Sequence, residues 1–579
     1  MLRAALVSLL RIVLIGFLVS LFSARTFAVS GQADPSFGES GHVVVPFAGL
    51  EALPYDVHVL SNGKILVAGI CNQPNVGAEF CIARLHGDGS IDTSFGDAGR
   101  VLTLVGQHLA GASRTQIQGD GKIVVGGGCV GARPDSNYSV FCLVRYLTDG
   151  SLDSTFGLNG VATARFGSPA QGAATSAIID LAIRADGRIV ALGSCQLESP
   201  VTNFCVAQFL TDGTLDASFG TAGQTLFAGG IGYDVPASAV VDSAGRVVLA
   251  GTCYDNPPNN PVVKFCLLRL TEAGTFDVTF GTNGKVLFAV GSEPRVARVL
   301  FAAGEKIVVS GTCMTSSDGG GPRFCLSKFL NNGAIDVTFG TAGSVIVAPQ
   351  ANALHYYSEQ LGSATIDGNG LIVANGSCYD EYQSRLCAKR LLADGKLDTS
   401  FGTNGSARFS SFIAVGSALR TQADQKIVSV GSCEIESGTI RDFCVIRLRG
   451  GPYNPLTCAL NLDANATIDP ATDALLITRY LLGYRGDALT TSAVGASPTR
   501  TNAEIETYLG ALMQAGTLDA DGDGQSLAMT DGLLLIRAML GLAGTALTNG
   551  ATNAAHPNVR DAQQILTWIE TTHGVACLP

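Results

Sequence analysis

Short apolar runs, cut by polar turns that contain Gly, alternate along the chain from about residue 34 to residue 450. The runs are rich in Val, Ile, Leu and Phe and too short for helices, which predicts strands. One run follows a turn and reads SNGKILVAG (61–69), GDGKIVVGG (119–127), ADGRIVALG (185–193), SAGRVVLAG (243–251), AGEKIVVSG (303–311), GNGLIVANG (368–376) and ADQKIVSVG (423–431). Asp-Gly or Asn-Gly ahead of a β-branched run is a hairpin signal, because both turn residues tolerate positive φ. A second run follows a polar loop and opens on Phe-Cys or Leu-Cys, as in FCIARL (80–85). Another Gly turn leads to a tag of the form Asp-x-Ser/Thr-Phe-Gly, and the tag leads to a further short strand.

The tag starts at Asp34, Asp92, Asp153, Asp216, Asp277, Asp336 and Asp398, so the period is close to 61 residues. Four short antiparallel strands in such a unit make one blade of a propeller. The chain enters at a tag and its trailing strand (34–47), and the array ends on a set of three strands. Pairing the two ends closes the ring and removes an exposed edge. The expectation is a mainly β fold, a seven-bladed β-propeller closed by an N-terminal strand. The tag Phe is expected between blades, with the following Gly in a tight turn. A structural role for the tag Asp is preferred over a calcium site.

Fourteen of the sixteen cysteines fall in pairs, one pair per unit: Cys71/Cys81, Cys129/Cys142, Cys195/Cys205, Cys253/Cys266, Cys313/Cys325, Cys378/Cys387 and Cys433/Cys444. The first is expected to end one strand and the second to open the next, which brings such positions within disulfide reach. One isolated pair per unit lacks the four clustered ligands of a zinc site. Cys458 and Cys577 bracket the C-terminal region and are expected to clasp its ends. Regular pairing implies an oxidising compartment: secreted, periplasmic or cell surface. The N-terminus agrees, since Arg3 and Arg11 precede an apolar run (12–22) and Thr26-Phe27-Ala28 offers a cleavage pattern. Residues 1–28 therefore read as a signal peptide, and no other segment is long enough to span a membrane. The formal net charge of −11 moves to about −14 once the three Arg of that segment are removed. Such acidity argues against nucleic acid or an anionic membrane surface as partner.

After Gly451-Pro452 the pattern changes. The loops 461–473 and 519–531 are each followed by an apolar helical run, with Asp473 and Asp531 set 58 residues apart. Oxygen side chains at alternate positions suit calcium, which takes six to eight hard oxygen ligands. In the second loop Asp519, Asp521, Asp523, Gln525 (carbonyl) and Asp531 are the candidate ligands. In the first they are Asn461, Asp463, Asn465, Thr467 (carbonyl), Asp469 and Asp473. Ala466 stands there in place of the turn residue Gly524, so the first site is expected to be the weaker. The alternative for both loops is a pair of solvated acidic turns.

The pattern DGKIxVxG, the Phe-Cys strand and the tag resemble the delta-60 repeat family of predicted bacterial β-propellers, over about 34–450. That resemblance implies a propeller and an exported setting, and it supplies no catalytic residues. The duplicated loop–helix plan resembles a type I dockerin, over about 455–579. It implies calcium as a structural cofactor and a cohesin-like or other surface protein as partner, and the alternative is a stand-alone calcium-stabilised cap or attachment module. Two departures stand out: the closing acid comes one position late, and long insertions (487–517 and 545–577) follow each helix. The expected organisation is 1–28 signal peptide, 29–451 propeller and 452–579 dockerin-like calcium-binding domain.

No GxSxG, HExxH, P-loop or dinucleotide motif stands in a convincing context, and His42, His58, His86, His108, His355, His556 and His573 lack metal-ligand spacing. The cysteine loops vary most between units. They carry Asp135, Tyr138, Tyr254, Asp255, Asp318, Tyr379, Asp380, Glu381 and Tyr382 as candidates for a ligand-binding rim. The expected function is an exported bacterial binding or scaffold protein. Its rim would take protein or glycan, and its tail would attach it through calcium. The alternative is a secreted propeller enzyme, a glycoside hydrolase or lyase acting on polysaccharide. A purely structural surface-layer role is a third reading.

Overall fold

Seven antiparallel sheets form the propeller, and in six of them the strands run in chain order from the axis outward. The computed structural model describes residues 30–573 and Cys577, apart from 48, 75–76, 110–113, 132–137, 168–174, 199–200, 229–233, 256–261, 316–320, 349–357, 368, 380–383, 410–412, 435–440, 451–457, 466–467 and 554–555. Blade 1 consists of Glu51–Val59, Ile65–Gln73, Gly77–Leu85 and Arg100–Thr103. Five more blades follow, and the innermost strand of blade 2 comes in two pieces, His108–Leu109 and Arg114–Ile117. Blade 7 takes Ile413–Thr421, Ile427–Glu434 and Arg441–Leu448 from the end of the array. Its outermost strand is His42–Val45, with His42 opposite Ile446 and Val45 opposite Phe443. The ring is thus closed by the N-terminal strand, as the register of the repeat predicts.

The second and third strands of each blade are almost wholly buried, because sheets pack face to face with their neighbours. The tag phenylalanines fill those interfaces. Phe95 sits in one cluster with Leu66 and Phe80 of blade 1 and Ile123 and Val144 of blade 2. The Gly that follows takes positive φ (Gly96 at 53°), and its N–H donates to Asp149 O in the next blade's turn at 2.8 Å.

By its contacts the chain divides into two units, His42–Gly450 and the pair of segments Met1–Gly41 and Gly451–Pro579. The second unit is helical: α1 (Leu475–Leu481), α2 (Asp487–Thr490), α3 (Asn502–Gln514), α4 (Leu533–Met539), α5 (Gly544–Thr548) and α6 (Ala562–His573). Its ends are joined by Cys458–Cys577, with Cα atoms 5.0 Å apart.

The segments expected to be insertions are the second halves of a longer duplicated unit. Arg479 in α1 donates to Leu489 O and Thr491 O, and Arg537 in α4 donates to Leu547 O and Asn549 O. Arg500 caps the first loop at Asn461 O and Leu462 O while stacking on Tyr508. Arg560 does the same at Asp519 O and Ala520 O while stacking on Trp568. Each half is therefore loop, helix, short helix, arginine and second helix. The late closing acid also has a structural cause. A π-turn opens each first helix, at Pro470–Ala474 and Ala528–Gly532, and a π-turn accommodates one extra residue.

Candidate functional site

Antiparallel order puts the cysteine loops and the blade-to-blade links on one face of the propeller, and the Asp-Gly turns and tags on the other. All seven blade pairs are bonded: Cys71–Cys81, Cys129–Cys142, Cys195–Cys205, Cys253–Cys266, Cys313–Cys325, Cys378–Cys387 and Cys433–Cys444. Their Cα atoms lie 5.5–5.9 Å apart.

The second cysteine of each pair does not open its strand, contrary to the sequence expectation. Cys142 lies inside Ser139–Tyr146, Cys266 inside Val262–Leu270 and Cys325 inside Pro322–Phe329. Cys387 lies inside Ser384–Leu391 and Cys444 inside Arg441–Leu448, and Cys81 and Cys205 are likewise internal to Gly77–Leu85 and Val201–Phe209. The reason is that the ladder runs on past the bridge through polar residues. In blade 1 Asn72 pairs with Ala78 and Gln73 with Gly77, both beyond Cys71.

The bridge is also diagonal. Cys81, Cys142, Cys205, Cys266, Cys325, Cys387 and Cys444 stand opposite Gly69, Gly127, Gly193, Gly251, Gly311, Gly376 and Gly431, each two residues before the bonded partner. Each rim loop thus springs from two strands stapled below it. Of the rim candidates, Tyr138 and Tyr379 are exposed and Tyr254 is half-buried, on blades 2, 6 and 4. Asp135, Asp318, Asp380, Glu381 and Tyr382 lie outside the described residues, as does the side chain of Asp255.

On the opposite face the tag Asp works as a clasp. Asp153 Oδ2 accepts from Arg145 Nε at 2.8 Å and pairs with Lys122 at 3.1 Å, while Oδ1 accepts from Thr155 N and Oγ1. Arg145 lies over the Phe156 ring at 4.4 Å and donates to Thr211 O of the next blade. Burial opposes the charge of Asp336, but Thr338 and Lys306 hold its carboxyl down at about 2. Where blade 3 carries Gln208 in place of this arginine, Arg184 reaches in and donates to Gln208 Oε1 at 2.6 Å. The tag is structural, built on cation–carboxylate pairs.

A polar ring on the axis escaped the sequence reading. Asp56, Arg114, Asp180, Ser238, Arg298, Ser363 and Ala418 occupy one register position, opposite Ala68, Gly126, Leu192, Ala250, Ser310, Asn375 and Val430. A β-bulge precedes this position in blade 1 between Pro54 and Asp56, and in blade 3 between Ile178 and Asp180. The Gly of the second strand makes the bulge possible. A Cβ on Gly69 would stand 2.0 Å from Leu53 O, and one on Gly193 would stand 2.0 Å from Ala177 O. The bulge turns the next side chain toward the axis.

There Arg298 of blade 5 donates through Nη1 to both Asp180 oxygens, at 3.1 and 3.0 Å, and its Nη2 lies 3.9 Å from Asp56 Oδ1. Arg420 Nη2 donates to Asp56 Oδ1 at 3.1 Å, and Thr115 N donates to Oδ2 at 3.1 Å. Ser238 Oγ donates to Asp180 Oδ2 at 2.8 Å. Burial works against the charge on Asp56, yet Arg420, His58 and Arg298 hold its carboxyl well below the usual range.

In the helical unit the second loop gathers acids. Asp519, Asp521 and Asp523 each offer an oxygen within 4.8 Å of the other two. Loop amides orient them: Gly522 N and Gly524 N donate to Asp519, Gln525 N to Asp523, and Asn553 through N and Nδ2 to Asp521 and Asp523. Gly524 takes φ +87°, the turn that the sequence assigns to it. Asp531 is placed differently from the three. Its Oδ1 accepts from Ala520 N and Asp521 N, and its Oδ2 from Leu527 N and Thr530 Oγ1, so it staples the loop. Burial raises its carboxyl. Gln525 is exposed.

The first loop is held by hydrogen bonds of its own and by Gly495 N, which donates to Asp463 Oδ2 at 2.7 Å. Asn461 Nδ2 donates to Asn465 O, Asn465 Nδ2 donates to Asp463 Oδ2, and Asp469 caps the following turn at Ala471 N. Asp473 accepts from Leu462 N and Asp469 N, and burial pushes its carboxyl up to about 7. Thr467 lies outside the described residues.

Four segments, 60–95, 118–156, 184–219 and 306–339, match the family described as "Domain of unknown function (DUF5122) beta-propeller". Each runs from the turn before the second strand, or from the start of that strand, to the tag of one blade. The chain is a seven-bladed β-propeller protein. Among solved structures the chain is similar to a protein of unknown function from Dyadobacter fermentans DSM 18053, at 12% identity and TM-score 0.35, covering 72% of this propeller protein's chain and 100% of that one. It is also similar to the polysaccharide lyase Uly1 (9%, TM-score 0.40, 73% and 97% covered). A third is the beta-propeller domain of the Trilobed protease from Pyrococcus furiosus (9%, TM-score 0.37, 69% and 99%). No curated protein matches it. Eight disulfides point to an oxidising, extracellular or secreted setting, and no described helix is long and apolar enough to cross a membrane.

Proposed function

We propose that the protein is an exported bacterial binding or scaffold protein, led by a signal peptide at 1–28. Its stapled propeller rim takes protein or glycan, and the dockerin-like segment 452–579 is a calcium-organised attachment module. The observation that carries this reading is the Asp519, Asp521 and Asp523 cluster, held open by loop amides in a unit separate from the propeller. A hard cation such as calcium suits those oxygens.

The rival reading is an enzyme acting on polysaccharide, and its glycoside hydrolase form needs a carboxyl that can hold a proton. Asp56 and Asp180 are the axial acids, and both are buried against arginine, which favours binding over catalysis at that place.

Calcium titration of the mature protein by calorimetry is expected to give one tight site per chain, with the first loop weaker by about tenfold or more because it carries fewer carboxylates. Asp521→Asn should abolish the tight site, and Asp463→Asn should leave it. Chelation should release a partner caught through the tail in a pull-down and leave the propeller folded. Two equal sites, or no calcium uptake, would contradict the assignment. A glycan array and pull-down with and without chelator then separates rim binding from tail binding.

A further inference from the structure

We propose that the axial ring is an anion site that takes a single carboxylate group from a small organic or sugar acid. The inference concerns the axis rather than the loop rim, and it stands whether or not the rim binds a partner. Three features of the ring support it.

The first is charge. Arg298 pairs with Asp180 and Arg420 with Asp56, whereas Arg114 makes no ion pair among the described residues, which leaves one positive charge over. Removing charge from water without a partner is costly, so the site favours an incoming anion.

The second is an idle donor. Arg114 Nη1 donates to Tyr55 O at 2.5 Å, but its buried Nε has no acceptor among the described residues. An N–H in that state is expensive to leave unmade.

The third is the direction of exposure. The side chains of Asp56 and Asp180 are 1% and 3% exposed, whereas those of Arg298 and Arg420 are 10% and 24% exposed. In each pair the arginine side chain is therefore the more exposed partner. A ligand that reaches the ring from solvent meets the arginines before the carboxylates. A planar carboxylate matches the paired N–H groups of a guanidinium, and its single charge balances the surplus.

The test is calorimetric titration of the full mature protein at low ionic strength with sodium glucuronate, sodium acetate, glucose and sodium chloride. Saturable binding of both carboxylates, but not of glucose or chloride, is expected. Equal affinity for the two carboxylates would mean that the carboxylate alone is read, and tighter glucuronate would mean that the sugar ring adds contacts. Arg114→Gln should weaken binding by about tenfold or more, since it removes a buried charge partner. Lys396→Gln, at an exposed position on the propeller, should leave it unchanged. If Arg114→Gln fails to fold, Arg420→Gln carries the same expectation. No saturable binding of either carboxylate to the unaltered protein, or binding unaffected by both arginine variants, would overturn the proposal.

Discussion

Arg390→Ala is expected to destabilise the propeller by about 3–5 kcal/mol in a denaturant titration, the range for stranding one member of a buried ion pair. Arg390 is wholly buried, donates through Nε to Asp398 Oδ2 at 2.8 Å and lies 4.8 Å over the Phe401 ring. In most blades a Lys or Arg after the Asp-Gly turn also neutralises the tag Asp, as Lys64 does for Asp92 and Lys122 for Asp153. Blade 6 has Leu371 at that place, so Asp398 would be left with Ser400 and no cation. The same change in blade 2, Arg145→Ala, should cost less because Lys122 remains. Adding Asp398→Asn to Arg390→Ala should recover part of the loss, because the unpaired charge is then gone. A loss below about 1 kcal/mol would place the clasp with ordinary surface pairs.

Phe47→Ala is expected to cost about 3–5 kcal/mol as well, and to do so at the ring closure. Phe47 follows the closing strand His42–Val45, is 1% exposed and packs edge-on against Phe443 at 4.9 Å. Removing it leaves a cavity under the strand that completes blade 7. When that strand detaches, Arg441–Leu448 becomes an open edge, so the variant should also associate in a concentration-dependent way. Light scattering alongside the titration checks both effects. A variant as stable and monomeric as the parent would mean that the N-terminal strand does not lock the ring.

The propeller was legible because its information is local and repeated. The turn Gly, the strand that follows, the paired half-cystines and the tag recur at one spacing, so strand count, closure and bridges follow from reading along the chain. Strand ends were less legible. Polar residues ahead of Cys81, Cys142 and Cys444 look like loop in sequence, yet they extend the ladder toward the rim. The axial ring was not legible at all, because its seven positions read Asp, Arg, Asp, Ser, Arg, Ser and Ala and share no residue type. Only the register places them together. One signal was present in sequence: Gly69 and its counterparts, whose lack of a Cβ admits the bulge that aims the ring inward.

In the helical unit the duplication was half seen. Spacing is 58 residues from Asp473 to Asp531 but 60 from Arg500 to Arg560, and that slip hid the second helix of each half. The extra loop residue looked like a departure from a calcium loop until the π-turns placed it. Asp473 and Asp531 read as ligands by position. Their carboxylates are engaged by backbone amides, a role that composition does not reveal.

Peptide mapping of the unreduced mature protein by mass spectrometry reaches the core of the account most directly, because one adjacent-strand bridge per blade fixes strand pairing, blade count and compartment together. The predicted result is eight linked pairs, seven of them within single blades and the eighth joining Cys458 to Cys577, with no free thiol. Bridges between different blades, or unmodified thiols at the paired positions, would contradict it.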